Sequence, residues 1–381
     1  MFREETYQHL QPCELVEVDE SDDVAAWVQR SFGKGQIDRA GDVLIPWWTS
    51  DDDIRAASPE RVNEINDAWL VVNNWRASHA LPLLAFRMGL TSRTKRVAPA
   101  GLIAQRLKRI TSILNKLARE PRMKLSQMQD LGGCRAIVPD VAAVDRIFDL
   151  YRGPQDFFES EGSVKCYDYI RRPKDDGYRG VHVVGRYHAK VPHNEPWNGH
   201  RVEIQLRTGL EHAFSTAVET VTTFTRHPLK FGGGPEEWRR FFALTGSAFA
   251  LREETPHVPE TPSDLAELTR ELRDITKALK VRQRLAGWAR ALRQLRRQNV
   301  SQFQWLLLVL NLTNNTIEVT GFSTRAKAAR ALDAIERRKR EDLDAVLVWV
   351  NSVRDLKAAY PNYYADTGEF INALNQALRV T

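Results

Sequence analysis

Apolar residues recur at steps of three and four from about Arg61 to Met88, across VVNNWRASHALPL, and predict a helical stretch. After Pro99 the same spacing runs through Leu102, Ile103, Leu107, Ile110, Ile113, Leu114 and Leu117, and predicts a second helix. A short helix is expected near Ala25–Phe32, between the acidic stretches DESDD and SDDD. The pattern then changes. CRAIVPD is a short apolar run closed by Pro139, and VKCYDYI, YRGVHVVGRY and RVEIQLRT alternate or run apolar as strands do. VAAVDRIFDLYR and LEHAFSTAVETVTTFT read as helices. Strands interleaved with helices predict an α+β fold, a mixed β-sheet flanked by helices.

FGGGPEE at 231–237 lacks the spacing of a phosphate-binding loop and reads as a connector. Beyond the proline-rich TPHVPETPSD, Leu265, Leu268, Leu272, Ile275 and Leu279 step helically, as do Leu285, Trp288, Leu292 and Leu295. One long helical connector is expected, with its repeat broken at Arg282. From Phe303 a hairpin follows, QWLLLVLNL and TIEVTGF around Asn314 and Asn315. A helix capped by Ser323, the buried strand DAVLVWV, and a last helix opened by Asp366 and Glu369 at capping-box spacing complete a β-β-α-β-α module. The expected divisions are 1–260, 261–300 and 301–381.

Composition narrows the classes. The longest plainly apolar run, WLLLVL, is far below the roughly 20 residues that span a bilayer. The start, MFREETYQHL, has no apolar signal core, and Cys13, Cys134 and Cys166 form neither a disulfide framework nor a zinc spacing. A cytoplasmic protein with no membrane partner and no zinc is expected. The net charge of +6 is modest, but Leu83 to Leu125 holds eleven Lys or Arg against one acid, Glu120. So unbalanced a face points to a polyanion, a nucleotide phosphate or a nucleic acid.

Four segments gather polar groups where strands meet helices or loops. In QRLKRITSILNKL, Lys108, Ser112 and Lys116 are four apart and would share a helix face able to grip phosphates, with Arg106 and Arg109 close by. In MQDLGGCRAIV, Asp130 stands before a strand, followed by two glycines and Arg135; it reads as a magnesium ligand or as a plain turn former. DYIRRPKDDGYRGVH crowds Lys174, Gly177, Tyr178, Arg179 and His182 into one loop, where a tyrosine beside cations suits a nucleobase. Alternation in VEIQLRT places Glu203, Gln205 and Arg207 on one strand face.

Together these pieces, R-x-K…S-I-x-x-K, D-x-x-G-x-R, D-Y-I-x-x-P-K-x-x-G-Y-R-x-x-H and E-I-Q-x-R-T, resemble the RelA/SpoT-type synthetase family over about residues 102–225. The resemblance implies a nucleotidyltransferase-like core that moves pyrophosphate from ATP to a ribose 3′-hydroxyl with Mg²⁺. It implies Arg106 and Arg135 around adenine, and Lys108, Ser112, Lys116 and His182 on the ATP phosphates. Asp130 and Glu203 would bind metal, Glu203 serving also as base. Lys174, Tyr178, Arg179, Gln205 and Arg207 would hold the acceptor. Two positions depart from the family: Tyr167 precedes Asp168 where Lys is common, and Gly180 replaces a common serine.

The flanking segments, among them KGQIDRAGDVL and TAVETVTTFT, resemble the toxic small alarmone synthetases. Some of that group modify the 3′-CCA end of tRNA and block translation, and others make free alarmones. Either acceptor is open here, as is a non-catalytic nucleotide sensor. The C-terminal module resembles that of the CapRel group, fused toxin–antitoxins of antiphage defence. This implies a zinc-free finger-like domain whose Tyr360 and Tyr363 cover the ATP site until a phage protein, such as a capsid protein, releases them. The same tyrosines, with Tyr364, would otherwise close a small core.

Overall fold

The computed structural model describes residues 27–50, 57–151, 164–225, 229, 233–285, 305–311, 316–338, 340, 343–349 and 367–379. The helices are α1 (Lys34–Thr49), α2 (Pro59–Ser78), α3 (Ala80–Val97), α4 (Ile110–Arg119), α5 (Val141–Asp149), α6 (Gly209–Thr225), α7 (Glu236–Arg252), α8 (Leu265–Ala278), α9 (Arg325–Glu336) and α10 (Gly368–Ala377). The strands are β1 (Leu102–Leu107), β2 (Gly132–Val138), β3 (Lys165–Asp168), β4 (Val181–Arg186), β5 (Arg201–Thr208), β6 (Trp305–Asn311), β7 (Thr316–Phe322) and β8 (Leu343–Trp349). They form one mixed sheet in the order β3-β4-β5-β2-β1-β8-β6-β7. Only β2 and β5 run parallel among these pairings. The fold is α+β with a mixed sheet, as the interleaved pattern predicts.

Several elements differ from the expectation. Residues 102–107 are strand β1, paired in register with β2 from Leu102↔Ile137 to Leu107↔Gly132, and only α4 is helical. LIAQRL fits either period, and a neighbouring strand decides between them. The helical stretch from Arg61 is two helices that meet at His79. Pro82 has no N–H to return to Ser78, so α2 cannot continue through it. Residues 27–33 are not helical; the first described helix, α1, starts after Gly33. The connector stops as a helix at Ala278, where Lys280 takes a left-handed φ of 50°, and helical backbone resumes at 281–285. Thr324, not Ser323, caps α9, its hydroxyl accepting from the Lys327 N–H at 3.3 Å.

Core residues divide into three main clusters. Cys134, Ala136, Val181, Val183, Val202, Ile204 and Leu206 on one sheet face pack with Leu83, Phe86 and Leu90 of α3 and Val144 and Ile147 of α5. Ile110, Ile113, Leu114 and Leu117 of α4 join α1 and α2 around Leu44 and Trp69. The third cluster gathers α6, α7 and α8, and α10 is part of it. Phe370 of α10 lies 5.7 Å from Phe249 and 6.3 Å from both Phe241 and Phe242, between ring centroids. Burying such a ring contributes about 1.5–3 kcal/mol. Among the described residues of β6–β8 and α9, Leu307, Leu332 and Ala345 form a small core cluster.

Helix α9 also reaches back. Asp333 accepts from Trp69 Nε1 at 2.8 Å and Asn73 Nδ2 at 2.7 Å, both on α2. Buried Glu336 pairs with Arg76 at 3.0 Å and accepts the Ile110 N–H at 2.8 Å, capping the N-terminus of α4 from a distant part of the chain. Among the described residues, no helix is long and apolar enough to cross a membrane. Tyr360, Tyr363, Tyr364, Asp366, the Asn314–Asn315 turn and the connector beyond 285 lie outside the described residues.

Candidate active site

Residues paired across neighbouring strands point to the same side of a sheet. Two rows follow from the register. One is Arg106, Gly133 and Glu203; the next is Ala104, Arg135, Gln205, His182 and Tyr167. This is the face opposite the α3–α5 core. Among the described residues, a Cβ at Gly133 would meet only the Glu203 carbonyl oxygen, at 3.9 Å, so they leave the floor between Arg106 and Glu203 open.

Asp130 stands at the mouth of that floor, two residues before β2. Lys108 Nζ donates to its Oδ2 at 2.6 Å and Lys116 Nζ to its Oδ1 at 3.2 Å. The expected single helix face is not how they meet. Lys108 leaves the end of β1, its N–H held by the Leu131 carbonyl at 2.8 Å, while Lys116 comes from α4 with Ser112 one turn earlier. Burial pushes the Asp130 carboxyl up, but the two lysines outweigh it and hold the group well below the usual carboxylate range.

Glu203 anchors a second network. Its Oε1 lies 2.9 Å from His182 Nδ1, and its Oε2 accepts from Gln205 Nε2 at 2.7 Å. His182 Nε2 is 2.6 Å from the Tyr178 hydroxyl, which also accepts from Arg207 Nη2 at 2.9 Å. A carboxylate can only accept, so the Nδ1 that faces Glu203 carries a hydrogen. Burial raises the Glu203 carboxyl, and His182 more than offsets it, so the group stays lower than ordinary and ionised. Burial pushes the Tyr178 phenol up to about 12, against the pull of Arg207. Gly180 has φ +145°, and a Cβ there would approach the Tyr178 hydroxyl to 3.3 Å, which accounts for glycine at this position.

Lys174 Nζ sits 4.4 Å from the Tyr169 ring centroid and 5.3 Å from that of Tyr178. Arg135 Nη1 is 3.5 Å from His212 Nδ1 on α6, a neighbour that the sequence reading did not single out. Asp130, Glu203, Lys108, Lys116, Arg106, Arg135, Gln205, Arg207, Tyr178 and Lys174 therefore belong to one face and its rim. His182 lies between Glu203 and Tyr178.

Arg179 is elsewhere. Its side chain is 3% exposed and its Nη2 lies 2.9 Å from Glu253 Oε2, 3.6 Å from Glu211 Oε1 and 2.6 Å from Thr255 Oγ1, under the loop. The basic stretch 83–125 is likewise not one face. Arg93 lies over the Tyr151 ring at 4.7 Å, Lys124 pairs with Asp42 at 2.9 Å, and Lys95 and Arg96 close α3. Arg106, Lys108 and Lys116 of that stretch belong to the site.

Among the described residues, no three His, Cys, Asp or Glu side chains group as a metal site. The two carboxylates still fit Mg²⁺, which binds through one or two carboxylates together with ligand phosphates and water. Both are ionised, and they repel each other across the same floor.

Residues 105–225 match the model of the region found in RelA / SpoT proteins. The chain is similar to the GTP pyrophosphokinase YjbM of Bacillus subtilis strain 168, 31% identical over 113 residues, covering 29% of this chain and 51% of that protein. It is similar also to the GTP pyrophosphokinase YwaC of the same strain, 28% identical over 109 residues, covering 27% and 49%. The chain thus spans about half the length of these curated relatives. Among solved structures, the small alarmone synthetase 1 of Bacillus subtilis bound to its product pppGpp aligns with a TM-score of 0.39 at 22% identity, covering 48% of this chain and 94% of that one. The polar sheet face therefore lies within the residues that match the RelA / SpoT region, the same part of the chain that is similar to GTP pyrophosphokinases.

Proposed function

We propose that this face transfers pyrophosphate from ATP to a ribose 3′-hydroxyl, with the 3′-CCA end of tRNA as acceptor. One observation carries the reading: Asp130 and Glu203, both ionised, flank an open glycine floor beside two lysines. Arg106 and Arg135 flank the adenine, and Lys108, Lys116 and Ser112 take the phosphates, the lysines exchanging Asp130 for phosphate oxygens. Asp130 and Glu203 are the residues that would hold Mg²⁺, which when bound neutralises triphosphate charge and eases ionisation of the hydroxyl. Tyr178, with Lys174, Gln205 and Arg207, holds the acceptor nucleotide. The 3′-oxygen attacks the β-phosphorus, the bond to the α-phosphate oxygen breaks, AMP leaves, and Glu203 receives the proton. His182, fixed to Glu203 at 2.9 Å and to Tyr178 at 2.6 Å, orients base and acceptor together.

On this reading the product blocks aminoacylation and so translation. The 301–381 module restrains the 1–260 unit through Tyr360 and Tyr363 until a phage protein, such as a capsid protein, draws it away, as an antiphage device requires. The Glu336 contact at the start of α4 supports the restraint, because it seats the module against the helix that bears Lys116. A free guanosine or adenosine nucleotide is the competing acceptor, favoured by the GTP pyrophosphokinases among the relatives and by the dispersal of the 83–125 cations.

The test is to incubate the full chain, and the Tyr360→Ala/Tyr363→Ala variant, with γ-labelled ATP and either tRNA or GDP, GTP and AMP. Label is expected in tRNA, more strongly with the variant. Label only in a free nucleotide overturns the tRNA assignment. Absence of AMP release with every acceptor leaves a non-catalytic sensor.

A further inference from the structure

Among the described residues, the polar face does not end at Tyr178. We propose that Tyr167 and Tyr169, with Lys165, form a stacking track for the nucleotides that precede the acceptor, so the site takes the 3′ end of a single-stranded polynucleotide. This rests on the pyrophosphate transfer proposed above.

The register places the track. Tyr167 pairs with His182 and Lys165 with Val184, so both belong to the rows that hold Gln205 and Glu203; Tyr169, in the turn after β3, bonds its N–H to the Gly180 carbonyl at 3.0 Å and sets its ring beside Tyr178 and His182. The Tyr167 and Tyr169 rings are parallel within 6°, their centroids 6.1 Å apart. Tyr169 then meets Tyr178 edge-on at 5.9 Å and His182 at 5.4 Å. A continuous aromatic line thus runs from the proposed acceptor-base contact to β3, the last strand at this edge of the sheet.

Exposure separates this line from ordinary packing. Tyr167 is 38% exposed, and Lys165 and Lys174 at either end are exposed too. A tyrosine that merely closed a core would be covered by it. Two of the nearby acids, Asp168 and Asp145, are paired with Arg171. Asp168 accepts the Ile170 and Arg171 N–H groups at 3.0 Å each and lies 3.6 Å from the Arg171 guanidinium. Asp145 also pairs with Arg171, and Asp176 accepts the Tyr178 N–H at 2.9 Å. Flat rings interleaved with cations bind successive bases without sequence preference. A free mononucleotide reaches Tyr178 and has nothing to place on Tyr167.

The experiment measures binding of a 5′-fluorescein-labelled 12-nucleotide single-stranded RNA ending in CCA, by anisotropy, to the full chain and to Tyr167→Ala and Tyr167→Phe. It needs no turnover. The track predicts a Kd about tenfold weaker for Tyr167→Ala, restored by Tyr167→Phe, which keeps the ring. In turnover with the same RNA, the loss should fall on KM more than on kcat. Equal Kd values for wild type and Tyr167→Ala, with both proteins folded by thermal melting, overturn the track even if AMP is released. A tenfold loss of binding in a protein that releases no AMP overturns the transfer reaction and leaves the track standing.

Discussion

Two ionic clusters, one of aspartate with lysines and one of arginine with glutamates, differ in how far they are closed to solvent. In one, Asp130 is 23% exposed and its partners Lys108 and Lys116 are 19% and 22% exposed. In the other, Arg179 is 3%, Glu211 1% and Glu253 12% exposed. The first can trade a carboxylate for an incoming phosphate. The second is closed and its work is positional. It holds the loop where Gly177, at φ +85°, comes so near α7 that a Cβ would lie 2.5 Å from the Phe242 carbonyl oxygen. Burying charges costs desolvation even when they are paired, so such a cluster is better explained by placement than by stability. A third pair, Arg76 with Glu336 at 8% and 2% exposure, is of the closed kind.

Disrupting the open cluster should abolish chemistry and spare the fold. Asp130→Asn is expected to lower AMP release about a hundredfold or more, with the thermal midpoint little changed. Disrupting the closed cluster should do the reverse. Arg179→Ala leaves Glu211 and Glu253 buried without their cation and should cost about 3–5 kcal/mol in a denaturant titration, activity falling with the folded fraction. Glu336→Ala should cost about 3 kcal/mol in the same measurement, since Arg76 loses its partner and the Ile110 N–H its acceptor.

The last expected effect is a pH slope. Burial pushes the Glu211 carboxyl up to about 7 from 4.5, despite Arg179. A raised carboxyl binds its proton more tightly in the folded state. Its contribution to stability is therefore complete below 4.5 and is lost as pH rises through about 7. Stability measured across that window should fall for the wild type and be flatter for Glu211→Gln; equal slopes would remove the assignment.

How much of this was legible in the sequence depends on whether an element carries its own period. β2, β4 and β5 do, and RVEIQLRT alone assigns Glu203, Gln205 and Arg207 to one face. Helix α7 does not. Trp238, Phe241, Phe242 and every residue from Ala243 to Ala250 are buried, so no polar side marks its turns. β1 was hidden because its few residues suit either period and only pairing with β2 decides. Asp130, Lys108 and Lys116 could be read as phosphate-site candidates, but not that a strand end and a helix bring the lysines together. Arg179 was misplaced because it adjoins Tyr178 in the chain, yet its side chain goes to Glu253 and Glu211, partners that are distant in sequence. The α9 contacts at Asp333 and Glu336 span more than 200 residues of chain and left no local signal.

The central claim is transfer of pyrophosphate to a 3′-hydroxyl, and the fate of the γ-label tests it most directly. The wild-type protein, γ-labelled ATP and the preferred acceptor should yield AMP and labelled acceptor in equal amounts. The same acceptor with a 3′-deoxy end should yield neither. Label on the 3′-deoxy acceptor, or AMP released without labelled acceptor, would contradict the account.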